Sequence, residues 1–91
     1  MNHNLHILTR NIIPSAVLSC DKNDGLLLIR EAVYLLLKAL PTGLANRTIF
    51  VLDDDLYARG MKNSILTTNI ESINYSKFVK LLVQYQTNCT W

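Results

Sequence analysis

Three consecutive carboxylates, Asp53, Asp54 and Asp55, followed within a turn by Tyr57 and Arg59, are the densest group of reactive side chains in the 91-residue sequence. Carboxylates clustered at the end of a strand offer hard oxygen ligands to a divalent cation, but three adjacent residues cannot all point at one ion. The simpler arrangement has one aspartate capping the next helical turn and the others in water. Arg59 is spaced to pair with one of these carboxylates or with an anion; as an exposed pair that contact is worth roughly 0 to 1 kcal/mol. Gly60 supplies the positive φ that ends the turn.

The remaining reactive groups are scattered. Cys20 needs a helix end or a nearby cation to become a nucleophile, and no Cys-X-X-Cys or local Cys/His pair accompanies it. A small buried or half-buried thiol is the simpler identity. Cys89 lies near the end of the chain with no neighbour that defines a role. His3 and His6 are three apart, which on a strand sends them to opposite faces, so they make no metal site. Gly-X-Gly-X-X-Gly, Walker-type and Gly-X-Ser-X-Gly motifs are absent, which removes the usual support for nucleotide binding and serine hydrolysis. Neither a cofactor nor a metal is expected.

The elements that must position these groups follow from hydrophobic patterning. Thr48 to Leu52 is a β-branched and aromatic run that stops at the aspartates, so it reads as a buried central strand with a helical turn behind it. Leu5 to Thr9 predicts a first strand, Leu26 to Ile29 a second and Ile70 to Ile73 a fourth. Pro14 suits the first turn of a short helix over Ile13 to Cys20, and the Asp24-Gly25 pair supplies a turn. Asn74 or Ser76 caps a helix defined by Phe78, Leu81, Leu82 and Tyr85. Met61 to Asn69 and Gln86 to Trp91 show no periodicity, and the former reads as loop.

Glu31 to Leu40, stopped by Pro41, is the clearest helix, and its pattern is unusual. Val33, Leu36, Leu37 and Leu40 form the stripe expected toward a sheet, yet Ala32, Leu35 and Ala39 add apolar surface on another side. That second side predicts a covering neighbour, unless it is a pair of ordinary exposed leucines. Strands alternating with helices imply βαβ crossovers. The expected fold is α/β: one small three-layer domain over residues 1–91, with a mostly parallel sheet of about four strands and helices on both faces.

Composition limits the partners. At 10.4 kDa with 49% hydrophobic residues the chain has room for one core. A net charge of +2 with 18% charged residues gives no basic stripe for direct nucleic-acid binding, so protein partners are expected. The opening residues lack a basic leader with an apolar run, and no apolar segment reaches the roughly 20 residues of a membrane span. A cytoplasmic protein with no membrane association and reduced thiols is therefore the default expectation.

The strand opening at Leu5 and His6, the segment Leu26-Leu-Leu-Ile-Arg-Glu-Ala-Val33, the signature Asp55-Leu-Tyr-Ala-Arg-Gly60, and Asn74-Tyr-Ser-Lys-Phe-Val79 leading to Trp91 together resemble the DsrH-like subunits of bacterial sulfur-relay complexes, within the DsrE/DsrF/DsrH superfamily. The resemblance runs nearly the whole chain. It implies assembly with TusC-like and TusD-like subunits into a heterohexamer of two trimers. That complex would pass persulfide sulfur to a TusE-like acceptor for 2-thiolation of the tRNA wobble uridine. It also implies a partner-binding surface, assigned to Ala32, Leu35, Ala39, Asp53, Asp54, Asp55, Tyr57 and Arg59. In the TusD-like subunit the persulfide-carrying cysteine lies at about the position of Leu52, where this sequence has no sulfur. Some DsrH-like relatives carry a cysteine near Ala16, four residues from Cys20, which leaves a small sulfurtransferase acting through Cys20 as the rival expectation. A receiver-like or metal-binding switch, suggested by the aspartates alone, normally needs a longer chain.

Overall fold

In a computed structural model that describes residues 4–18, 23–37, 47–61, 70–85 and 87–91, the chain forms a five-stranded sheet in the order β4-β3-β2-β1-β5. The strands are β1 Asn4–Leu8, β2 Gly25–Leu28, β3 Ile49–Leu52, β4 Ile70–Ile73 and β5 Thr87–Thr90. All four pairings are parallel. Between them lie α1 Ser15–Leu18, a 3₁₀ helix Arg30–Leu37, α2 Asp53–Ala58 and α3 Tyr75–Gln84. Parallel neighbours cannot be joined by a hairpin, so each connection must cross a face of the sheet.

Strand register divides the apolar side chains into two cores. On one face Leu8, Leu26, Leu28, Ile49, Val51 and Ile70 meet Val17 of α1, Ala32, Val33 and Leu35 of the 3₁₀ helix, and Leu56 of α2. On the other face Leu5, Ile7, Leu27, Phe50, Leu52 and Ile73 pack under Leu81 and Tyr85. β2 and β3 are apolar on consecutive residues, and β1 at Leu5, Ile7 and Leu8, because both of their faces are covered. The domain thus has helices on both faces, as expected.

Two expectations need correction. The fifth strand is one more than the patterning indicated: Thr87 to Thr90 has no aliphatic or aromatic residue, is exposed along its length, and pairs through its backbone with β1. The helix after β2 is a 3₁₀ helix, with the Ala32 amide donating to the Ile29 carbonyl three residues back at 3.1 Å. At three residues per turn, Ala32 and Leu35 eclipse, as do Val33 and Leu36. Ala32 and Leu35 are 0% and 6% exposed inside the chain's own core, and Leu37, assigned to the sheet side, is 61% exposed. Ala32 and Leu35 therefore do not present the partner surface assigned to them. Ala39, Leu40, Cys20, His3 and residues 62–69 of the expected loop lie outside the described residues.

Local signals account for the other ends. Asn74 caps α3, its Oδ1 accepting from the Lys77 amide at 2.9 Å. Pro14 stands just before α1, where its carbonyl accepts from the Val17 amide at 3.0 Å. Gly25 has a role beyond its turn: a Cβ there would lie 2.8 Å from Tyr85 Cζ and would meet the hydroxyl as well. Tyr85 closes the α3 core by lying directly on the Gly25 backbone.

Gly25→Ala is therefore expected to destabilise the protein by about 1 to 3 kcal/mol through overpacking, read as a lower urea midpoint. Burial, and then the Asp24 charge, raise the Tyr85 pKa above its ordinary 10.0. The folded state thus holds this proton more tightly than the unfolded chain, so its contribution is complete below pH 10 and is lost as pH rises through the folded pKa. Urea titrations across the alkaline range are expected to show a shallower loss of stability in Tyr85→Phe than in wild type.

Candidate functional site

The aspartate corner forms because β3 runs into α2 without a loop. Leu52 is the N-cap, in extended geometry with no side-chain capping bond, so Asp53, Asp54 and Asp55 fill the first helical turn. No aspartate takes the capping role expected of it; the three carboxylates instead face the positive end of the short helix. At the other end, the Gly60 amide donates to the Tyr57 carbonyl at 3.1 Å and the Met61 amide to the Leu56 carbonyl at 3.0 Å, with Gly60 at φ +67°. This is a Schellman closure, completed by Met61 and Leu56 in one apolar cluster.

Asp55 is the residue that ties this corner to its neighbour. Its Oδ2 accepts from the Arg30 amide at 2.8 Å, and Arg30 has φ +53°, a left-handed conformation that a non-glycine residue adopts only under constraint. Arg59 Nη1 lies 3.4 Å from Asp55 Oδ1, and Nη2 is 2.9 Å from Glu31 Oε1. The Glu31 hydrogen bond raises the Arg59 pKa, with desolvation acting against it and the carboxylate charges adding to it. The guanidinium also sits 6.0 Å from the centre of the Tyr34 ring, and its buried Nε has no hydrogen-bond partner among the described residues. Arg59 thus joins both helices that leave the sheet here, a larger role than the exposed pair expected of it.

The corner holds no nucleophile. Leu52 is 2% exposed, Asp55 is committed to Arg30 and Arg59, and Asp54 and Tyr57 face solvent with Asp53 half-buried. Among the described residues no three His, Cys, Asp or Glu side chains are grouped to hold a metal ion. Cys89 is exposed on β5, away from the aspartates.

A second polar group was not legible as such from the sequence. His6 Nε2 is 3.0 Å from Asp24 Oδ2, and Trp91 Nε1 is 3.2 Å from His6 Nδ1. An indole nitrogen only donates, so Nδ1 accepts and the imidazole proton resides on Nε2, directed at Asp24. The remaining Asp24 oxygen accepts from the Asn4 amide at 2.9 Å. Both ring nitrogens are therefore engaged, which denies this Asp–His pair the free nitrogen a general base needs. The group fastens β5 to β1, aided by the Trp91 amide on the Ile7 carbonyl at 2.8 Å and Thr9 Oγ1 on the Trp91 carbonyl at 2.8 Å. A sequence signal existed: His6 shares a face with Leu8, which turns it inward on a buried strand.

Beside that group a cleft of about 290 Å³ opens at the carboxyl ends of β1 and β5, lined by Leu8, Thr9, Arg10, Ile12, Pro14 and Trp91. The strand order reverses here, the position at which open α/β sheets bind ligands. Its lining offers apolar walls and one guanidinium, with no nucleophile and no acid–base pair.

The sequence model of the family described as DsrH like protein matches residues 8–88. Protein TusB of Yersinia pestis (strain Pestoides F) is 36% identical over 72 residues, covering 75% of each chain. Protein TusB of Yersinia pseudotuberculosis serotype O:1b (strain IP 31758) matches to the same extent. Both the aspartate corner and the cleft fall largely within the matched span.

With Asp55 as the clamp between these two corners, Asp55→Ala leaves the Arg30 amide without its acceptor and Arg59 with Glu31 as its remaining carboxylate, and costs about 1 to 3 kcal/mol. Asp55→Asn, which keeps an acceptor oxygen toward Arg30, is expected to recover much of that loss in the same urea titration.

Proposed function

The chain belongs to the DsrH-like family, and from that premise we propose that it is a non-catalytic, assembling subunit of a sulfurtransferase complex. The complex relays persulfide sulfur toward 2-thiolation of the tRNA wobble uridine. The observation that supports this reading most is the buried Leu52 at the head of the aspartate corner. Sulfur transfer proceeds by attack of a thiolate on a sulfur–sulfur bond. An aliphatic side chain at that corner cannot attack or carry sulfur, and the three adjacent carboxylates repel an approaching persulfide or polysulfide anion.

The thiol then belongs to another subunit. The family points to TusC-like and TusD-like partners in a heterohexamer made of two trimers, with the assembled complex passing sulfur to a TusE-like acceptor. Of the corner residues, Asp53, Asp54 and Tyr57 reach solvent and are the ones available to touch a neighbour. Asp55 and Arg59 hold the shape from which they project. Direct contact with RNA is not part of the role: the formal charge of +2 is spread over a chain with 7 carboxylates.

Co-expression with TusC-like and TusD-like chains is expected to yield one stable complex on size exclusion, and Cys20→Ser within it is expected to transfer sulfur as the wild type does. A monodisperse monomer that ignores both chains contradicts the subunit role. A mass gain of one sulfur at Cys20, after the isolated chain meets a persulfide donor, would make the protein a sulfurtransferase in its own right.

A further inference from the structure

The His6 group is built for one protonation state of its ring. The side chain is 7% exposed and holds two partners, Asp24 Oδ2 at 3.0 Å on Nε2 and the Trp91 indole nitrogen at 3.2 Å on Nδ1. The first contact suits either form of the ring, because Nε2–H donates to the carboxylate from the neutral imidazole and from the imidazolium alike. The second suits only the neutral form. An indole nitrogen only donates, and a protonated Nδ1 donates too, so proton uptake there sets two N–H groups against each other.

The surroundings decide which partner yields. Asp24 is 4% exposed and also accepts from the Asn4 amide at 2.9 Å, and with an imidazolium its contact becomes an ion pair, so that side of the ring tightens. Trp91 is 38% exposed, with its ring stacked on the imidazole at 6.2 Å between centroids. It also borders the cleft of about 290 Å³ at the carboxyl ends of β1 and β5. The carboxylate is enclosed, whereas the indole has open space beside it.

Other titratable and charged groups on the surrounding elements leave the ring to these two partners. Cys89 is the register partner of His6 on β5, and Arg10 lines the cleft. Arg47 Nη1 donates to the Val17 carbonyl of α1 at 3.2 Å, and Tyr85 of α3 interacts with the Asp24 charge. Glu31, Asp55 and Arg59 pair with one another at the β3 corner. Among the described residues none of these bonds to a ring nitrogen of His6.

We propose that His6 is a proton-operated latch on the cleft: a proton taken from solvent onto Nδ1 keeps Asp24 in place and ejects the Trp91 indole, which swings out and widens the cleft. The movement is local. The Trp91 amide stays on the Ile7 carbonyl and the Trp91 carbonyl on Thr9 Oγ1, so β5 remains in the sheet while its last side chain turns.

The chain contains one tryptophan, so the isotope-labelled full-length protein shows one indole N–H signal in the nuclear magnetic resonance spectrum, and that signal reads the latch. Lowering the pH from about 8 to about 5 spans the range in which imidazoles change charge. Over it the signal is expected to move to the position of a free indole, and its exchange with water to rise about tenfold, the effect of losing one hydrogen bond. The His6 ring nitrogens are expected to titrate with the same midpoint, while the amides of Leu27 and Val51 in the sheet centre stay protected. His6→Asn places an amide oxygen near the position of Nδ1 and takes up no proton, so its indole signal is expected to hold still. The two wild-type signals decide the matter even where that variant does not fold. An indole that keeps its bond after the ring nitrogens report imidazolium overturns the proposal, as does a ring that stays neutral throughout the titration. An indole transition that persists in His6→Asn, or that coincides with opening of the Leu27 and Val51 amides, overturns it too.

Discussion

Parallel strands can be joined only by crossovers, and crossovers in a sheet are right-handed. With the order β4-β3-β2-β1-β5, the chain steps in one direction from β1 to β4 and then returns past all of them to β5. The three steps in one direction place α1, the 3₁₀ helix and α2 on one face, and the single return places α3 on the other. The inward turn of Ala32 and Leu35 and the cleft at the carboxyl ends of β1 and β5 follow from that order.

The aspartate corner illustrates how one architecture separates shape from chemistry. A strand that ends at a helix start is the position from which α/β proteins present reactive groups. Here the carboxylates instead offset the helix dipole, and Asp55 binds the amide of a residue held in the left-handed region. A buried leucine stands at the cap. The corner keeps its geometry through the Asp55, Arg59 and Glu31 contacts and presents no atom able to take up sulfur.

Much of this was legible in the sequence because it depends on local patterning. The four apolar strands, the Asn74 cap and the Gly60 turn each follow from residues within a few positions of one another. β5 was not legible, because an edge strand held by backbone hydrogen bonds needs no aliphatic or aromatic side chain, and Thr87 to Thr90 has none. The 3₁₀ winding of the Arg30 helix starts at a residue constrained by Asp55, 25 positions later. The His6 group joins residues 18 and 85 positions apart, a proximity only the folded sheet creates. Gly25 looked like a turn residue by its pairing with Asp24, and its larger role depends on Tyr85 arriving from the far end of α3.

The central proposal is that this chain assembles with other subunits and carries no sulfur itself. Mass spectrometry of the co-purified complex during sulfur transfer from a persulfide donor tests it most directly. An unchanged mass of this chain, with the added sulfur found on a partner subunit, is the predicted result. A mass gain of one sulfur on this chain would contradict it.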